Sequence, residues 1–451
     1  MPMGAAGVFK GIEQCMVLMH GSQGCSTYIR RHMATHYNEP IDIASSSLNE
    51  KGTVYGGANN LKKALMNVIR QYQPRVIGIS TTCLAETIGE NVEAIAAEFL
   101  QEENIKGVDI VAVSSPGYGG SHYAGHYRTA RKVVEHFAEG GVRAKSVNVI
   151  VGSMSPGDIR RLKEILGAFG IRYTLFPDIS QTLDGEYADK YSRIPFGGTK
   201  IADLKDMGKA TATIEFGRMV LDEDSPGLYL KQKFSIPLFR LPVPIGLKNT
   251  DALMDLLCNL TGHMIPEEIR QARGRYLDAM VDSHKYNAKG KPGIFGDPEL
   301  VWGVVGLCLE NGMSPCVGAS GPANKKIVPA LKELAFEYEK DFAMLEDTDY
   351  EKIAEIVKKC GANLLIGPSD GAFMTEKHKI PLIRTGFPVH DRIGIQRKVY
   401  IGYGGSMALM DEMTNTLLEA EHGSFRKSLY KKHYNAKKAQ GAQRAAKTGE
   451  G

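Results

Sequence analysis

Two cysteines carry the first chemical signal. Cys25 closes His20-Gly21-Ser22-Gln23-Gly24-Cys25, and Cys83 sits in Ser80-Thr81-Thr82-Cys83-Leu84-Ala85-Glu86. Each follows a short apolar run, Met16 to Met19 and Val76 to Ile79, and each precedes a helix-like segment. That pattern places a thiol on the loop leaving a parallel strand, where open α/β sheets bind ligands. A helix beginning at such a loop points N–H groups and its positive dipole end at the site, which favours the anionic sulfur that metals bind. Gly21 and Gly24 are expected to give the loop a tight, close-packed backbone. Two thiols on neighbouring strands can converge on one metal centre. By spacing alone the plainer reading is the commoner one, because free cysteines are mostly small buried hydrophobes and no CxxC pair or zinc-finger cluster accompanies these two.

The elements that must position these thiols follow from periodicity. Leu61, Ala64, Leu65, Val68 and Ile69 recur at helical spacing, Arg75 to Ile79 reads as a buried strand, Glu86 to Leu100 as a helix and Val108 to Val113 as the next strand. The glycine-rich loop Ser114 to His122 then leads into a helix from about Tyr127 to Phe137. Further on, Ser146 to Val151 and Arg172 to Phe176 are strands, Ser155 is a helix N-cap with Pro156 behind it, and Asp251 is a cap in preference to a catalytic acid. Arg270 to Tyr286 is a helix, Lys291 to Phe295 a strand and Leu300 to Glu310 a helix. The fold class is therefore α/β, with three Rossmann-like doubly wound domains built on parallel sheets: residues 1–143, 144–269 and 270–423, followed by a basic, disordered tail over 424–451. No GxGxxG fingerprint accompanies these units, so no nucleotide is inferred. Cys15 lies within an apolar run and is read as structural; His122 and His126, four apart, are read as surface or capping residues before metal ligands.

The wider stretch is more specific than the two cysteines alone. His20 to Cys25, Tyr28-Ile29-Arg30-Arg31-His32, His36-Tyr37-Asn38-Glu39-Pro40, Ser45 to Glu50, Gly56-Gly57 and Thr81 to Gly89 occur in an order that resembles the β-type subunits of nitrogenase component 1 and their relatives. Pro242 to Asp251 and Ile265 to Glu268 continue the likeness, which covers nearly the whole chain. The resemblance implies that Cys25 and Cys83 ligate an iron–sulfur cluster, of four-iron or P-cluster type, at an interface with a homologous α-type subunit, with Gly24 and Gly117 beside it. It implies an α2β2 heterotetramer, an iron-molybdenum cofactor or precursor held by the partner, and an ATP-dependent iron-protein reductase as electron donor. Catalytic β-subunits of the family carry a serine where this chain has Gly117, and a cysteine ligand just ahead of the segment matching Pro2-Met3-Gly4. That position falls before Met1, so the chain either lacks the ligand or starts further upstream. These departures favour the scaffold complex that matures the cofactor over a working nitrogenase or nitrogenase-like reductase, while Cys83 in its Thr-Thr-Cys loop favours the reductase. A cluster-free binding protein of the same fold is the third reading.

Composition sets limits. A chain of 451 residues has material for two to four domains, and a net charge of +4 is small for that length, so nothing ahead of the tail marks a nucleic-acid footprint. Neither a membrane span nor an export signal is expected, since no long apolar run appears. Seven scattered cysteines without an export signal point to a reducing cytoplasm and to metal chemistry over disulfides.

Overall fold

The computed structural model describes residues 1–430 except Pro322, together with residue 432. Among them thirteen strands form three all-parallel sheets. The first holds β1 (Cys15–His20), β2 (Ala44–Ser45), β3 (Val76–Thr81) and β4 (Asp109–Val113) in the order β2-β1-β3-β4. The second holds β5 (Val147–Ile150), β6 (Tyr173–Phe176), β7 (Ala212–Phe216) and β8 (Leu238–Leu241) in the order β6-β5-β7-β8. The third holds β9 (Pro292–Gly296), β10 (Val317–Ser320), β11 (Ala343–Leu345), β12 (Leu364–Gly367) and β13 (Leu382–Arg384) in the order β11-β10-β9-β12-β13. In each sheet the chain builds outward from its first strand on one side and then crosses to the other. The order therefore reverses between β1 and β3, between β5 and β7, and between β9 and β12, and a crevice opens beyond the strand ends at each reversal.

Local chemistry explains the elements. All six residues of β1 and of β3 are buried, as expected of parallel strands covered on both faces. The helix Ala58–Tyr72 buries Leu61, Ala64, Leu65 and Val68 against the first sheet. Ser155 does cap the helix Pro156–Ala168, and Asp158 returns the bond to complete a capping box. The first helix, Pro2–Lys10, is an interior element. Phe9 occupies the space left by Gly78, where an added Cβ would lie 2.2 Å from its ring, and Gly4 abuts the His122 carbonyl, 1.9 Å from where its Cβ would be.

Four expectations are corrected. Glu86 to Leu100 is not one helix: Cys83–Thr87 and Val92–Glu102 are separated by a turn with Gly89 at φ 73°, and Asn91 caps the second. The helix expected from Tyr127 begins at His122, because Ser121 accepts the Ala124 N–H as its cap. The helix Gly402–Tyr430 carries regular structure past residue 424, so the tail does not start there, and its remainder lies outside the described residues apart from 432. Cys316 and Cys360 form a disulfide, S–S 2.14 Å, between the end of one helix and the start of β10, against the reading that the cysteines are unpaired. Their partnership across 44 residues has no signature in spacing.

Candidate functional site at the first sheet reversal

The two thiols flank the reversal between β1 and β3. His20 and Thr81 are register partners at the ends of these strands, and the chain then turns into the helices Gln23–Tyr37 and Cys83–Thr87. Cys25 is the third residue of the one and Cys83 the first of the other. The loops touch: a Cβ on Gly21 would lie 1.9 Å from Thr82 Oγ1, so only glycine fits there. Gly24 is a correction. Its added Cβ would meet only Ser22 Oγ, at 3.9 Å, and its φ is not positive, so no close packing requires it.

Both thiols are free and exposed, against the plain reading of buried hydrophobes. The Ser22 hydroxyl donates to Cys25 Sγ at 3.6 Å, and the Gly117 N–H donates to Cys83 Sγ at 3.1 Å. A Cβ on Gly117 would sit 3.2 Å from the same sulfur, so the loop after β4 closes over Cys83 as a bare-backbone cradle. N–H donors aimed at sulfur stabilise its anionic form and tune a bound cluster. The donor set thus fits iron–sulfur chemistry, with one qualification set by number. Among the described residues no group of three or more His, Cys, Asp or Glu side chains could hold a metal, so these two thiols have no third such ligand beside them. Two exposed aromatics lie beside these groups in sequence, Tyr28 three residues from Cys25 and Tyr118 next to Gly117.

Buried polar contacts hold this platform in place, and sequence reasoning assigned none of them. The His20 ring spans Ser46 Oγ, 2.9 Å from Nδ1, and Glu90 Oε2, 2.6 Å from Nε2. Ser46 Oγ also accepts the Gly21 N–H at 3.0 Å, and Glu90 accepts the Gly57 N–H. Behind Cys83, Thr81 Oγ1 accepts the Ser115 N–H at 3.0 Å, and the Ser80 and Ser115 hydroxyls lie 2.7 Å apart. These bonds tie the three loops together within this one chain. Only the Ser45-Ser46 pair and the intact His20 motif hinted at them, since the partners lie 26 to 70 residues apart.

Other candidates fall elsewhere. Cys15 is buried, and burial pushes its thiol up to about 12. Asp251 is not a cap: the helix Leu247–Thr261 is capped by Gly246, and Asp251 accepts from Arg273 Nε at 2.9 Å, Arg273 Nη2 at 2.8 Å and the Tyr403 hydroxyl. His122 and His126 both line a cavity; the His122 side chain remains 35% exposed, whereas His126 donates through Nε2 to the Val151 carbonyl at 2.9 Å.

Three all-parallel sheets, with two exposed thiols on the loops at neighbouring strand ends of the first, define a doubly wound α/β protein. The chain belongs to the nitrogenase component 1 type oxidoreductase family, which matches residues 1–418. It is 36% identical over 431 residues to the nitrogenase molybdenum-iron protein beta chain of Methanococcus maripaludis, covering 93% of each chain. With the nitrogenase vanadium-iron protein beta chain of Trichormus variabilis it shares 33% identity over 92% of both. The solved structure of "Nitrogenase Cp1 at pH 6.5" superposes with a TM-score of 0.89 at 32% identity, covering 93% of this chain and 92% of that one. The α/β class and the three sets of parallel sheets expected from sequence agree with this likeness, and the β-type resemblance is that of the relatives found.

Proposed function

We propose that this chain is the β-type subunit of a working nitrogenase-type reductase, in which Cys25 and Cys83 supply this chain's share of an iron–sulfur cluster at the interface with a homologous α-type subunit. The single observation that carries the reading is the incomplete pair: two exposed thiols, each with a hydrogen-bond donor, on touching loops at a sheet reversal. Such a cluster, once bound, accepts and passes on single electrons. The chain's own contribution is to hold the two sulfurs on rigid strand ends, to donate N–H and O–H bonds to them, and to present the aromatic rim that excludes water when the partner covers it. Electrons would come from an ATP-dependent iron protein, and the iron-molybdenum cofactor or a related one would be held by the α-type subunit. We assign the assembly as α2β2 in the cytoplasm, and the chain as three domains over 1–143, 144–269 and 270–423.

The scaffold complex that matures the cofactor is the second reading, favoured by Gly117 at the position where the family's catalytic subunits carry serine. Anaerobic co-purification of the tagged chain with its partner, followed by iron and molybdenum analysis, electron paramagnetic resonance and acetylene reduction, separates them. Full cofactor occupancy with turnover supports the reductase. A four-iron signal with substoichiometric molybdenum and no turnover supports the scaffold. A complex without iron or colour overturns both.

A further inference from the structure

A second site lies where the other two sheets open toward the first. The loops after β5, β6, β9 and β13 contribute Ser153, Ile179, Asp297 and Phe387 to a cavity of about 130 Å³, closed on the remaining side by the helices Pro2–Lys10, Gln23–Tyr37 and His122–Phe137. A pocket of that size admits one small ring. Strand carboxyl ends converging at sheet reversals are the usual ligand position in such folds. The thiol site described above is separate from this one, and none of its residues lines the cavity.

The polar groups in the wall have definite protonation. The Val389 N–H donates to His36 Nδ1 at 3.0 Å, so that nitrogen carries a lone pair and the neutral ring carries its proton on Nε2. His126 is the reverse case: its Nε2 faces the Val151 carbonyl and must donate, leaving the lone pair on Nδ1. Burial pulls both rings down to about 4, so both are neutral at ordinary pH. Neither His36 Nε2 nor His126 Nδ1 has a protein partner among the described residues, and the same holds for the Ser153 hydroxyl. The two carboxylates are already engaged, Asp158 by the N–H groups of Ser155, Tyr400 and Ile401, and Asp297 by the Glu299 N–H with His122 Nε2 at 3.5 Å. No lysine or arginine lines the cavity, which removes the usual counter-charge for a phosphate or carboxylate ligand.

Gly7 supplies an independent observation. It sits inside the helix Pro2–Lys10 and its φ is not positive. A Cβ there would meet nothing within 4 Å, whereas one on Gly4 would collide with the neighbouring helix. Glycine weakens a helix interior, so packing and backbone give no reason for it at position 7. What it leaves open is the cavity, which it lines.

We propose that this cavity binds a small, flat, uncharged one-ring azole, its ring nitrogen accepting from His36 Nε2–H and its ring N–H donating to His126 Nδ1, between the Phe387 ring and the methionines Met3, Met33 and Met154. The test is isothermal titration calorimetry of the purified anaerobic complex with pyrazole, with benzene and acetate as controls. Pyrazole binds saturably in the millimolar range, benzene more weakly and acetate not at all. Gly7→Leu, which fills the space, abolishes pyrazole binding while the complex assembles and melts normally. His126→Phe, which keeps the volume and removes the acceptor, weakens it roughly tenfold or more. The proposal is overturned if wild-type protein shows no saturable pyrazole binding, if benzene binds equally well, or if both variants titrate like wild type.

Discussion

The thiol site and the histidine cavity occupy the same kind of place, a crevice beyond strand ends where a sheet reverses its order, yet they are built in opposite ways. Cys25 and Cys83 stand exposed on a platform whose buried bonds, His20 to Ser46 and Glu90 and Ser80 to Ser115, all lie beneath them. His36 and His126 sit inside the molecule with their protons fixed by backbone groups from distant segments. The difference teaches that a crevice of one kind can either present its side chains to solvent or line them with groups from distant parts of the same chain. Exposed thiols have little stake in this chain's own stability, whereas the imidazoles are tied to it by burial.

The sharpest way to break that contrast is at the thiols. Cys83→Ala or Cys25→Ala in the assembled complex should lower iron retention by more than about a hundredfold, beyond the usual cost of losing an outer-shell partner. The melting temperature of the metal-free chain should barely move, since neither side chain is buried. Iron content and calorimetry on the same preparations check both halves, and a variant that kept its iron would remove the ligand assignment.

The cavity should respond to acid. His36 and His126 are lowered from 6.5 to about 4 by burial, so folding favours their neutral form. Their contribution is complete above pH 6.5 and lost as pH falls toward 4, and the gap corresponds to about 3 kcal/mol for each ring. Asp158 and Glu299, raised by burial to about 6 and about 7, act in the opposite sense over the same range, so the readout is the difference between proteins: melting temperature against pH should fall less toward acid in His36→Phe than in wild type. An unchanged slope in the variant would mean that other groups set the acid limit.

Smaller effects grade the two supports. Gly78→Ala drives a methyl into the Phe9 ring beneath the thiol loops and should cost about 1–3 kcal/mol in urea unfolding. Ser155→Ala removes a capping box on the cavity wall and should cost about 1 kcal/mol. Gly117→Ser should leave stability almost unchanged, because the residue is exposed, while shifting the cluster's paramagnetic signal through the Cys83 contact. A silent spectrum would place Gly117 outside the cluster's surroundings.

Much of this was legible in the residues. Strands of unbroken apolar character, the Ser155 cap and the helix from Ala58 are local patterns, and local patterns are what a sequence displays. The thiols were found for the same reason, since a strand, a turn and a helix start are contiguous. Glu86 to Leu100 failed because Gly89 at positive φ and the Asn91 cap outweighed helical spacing. Asp251 was misread as a cap because its partners, Arg273 and Tyr403, lie 22 and 152 residues away.

Sequence by itself therefore determined the α/β class, the parallel strands, the two candidate ligands and the family resemblance. Tertiary structure alone decided that the thiols are exposed while the histidines are enclosed, that Cys316 pairs with Cys360, and that Gly24 is unconstrained whereas Gly21 is required. The physical reason is range. Strand and helix preference is set by near neighbours, but burial, proton placement and the closing of a crevice depend on groups that only chain crossing brings within a hydrogen bond.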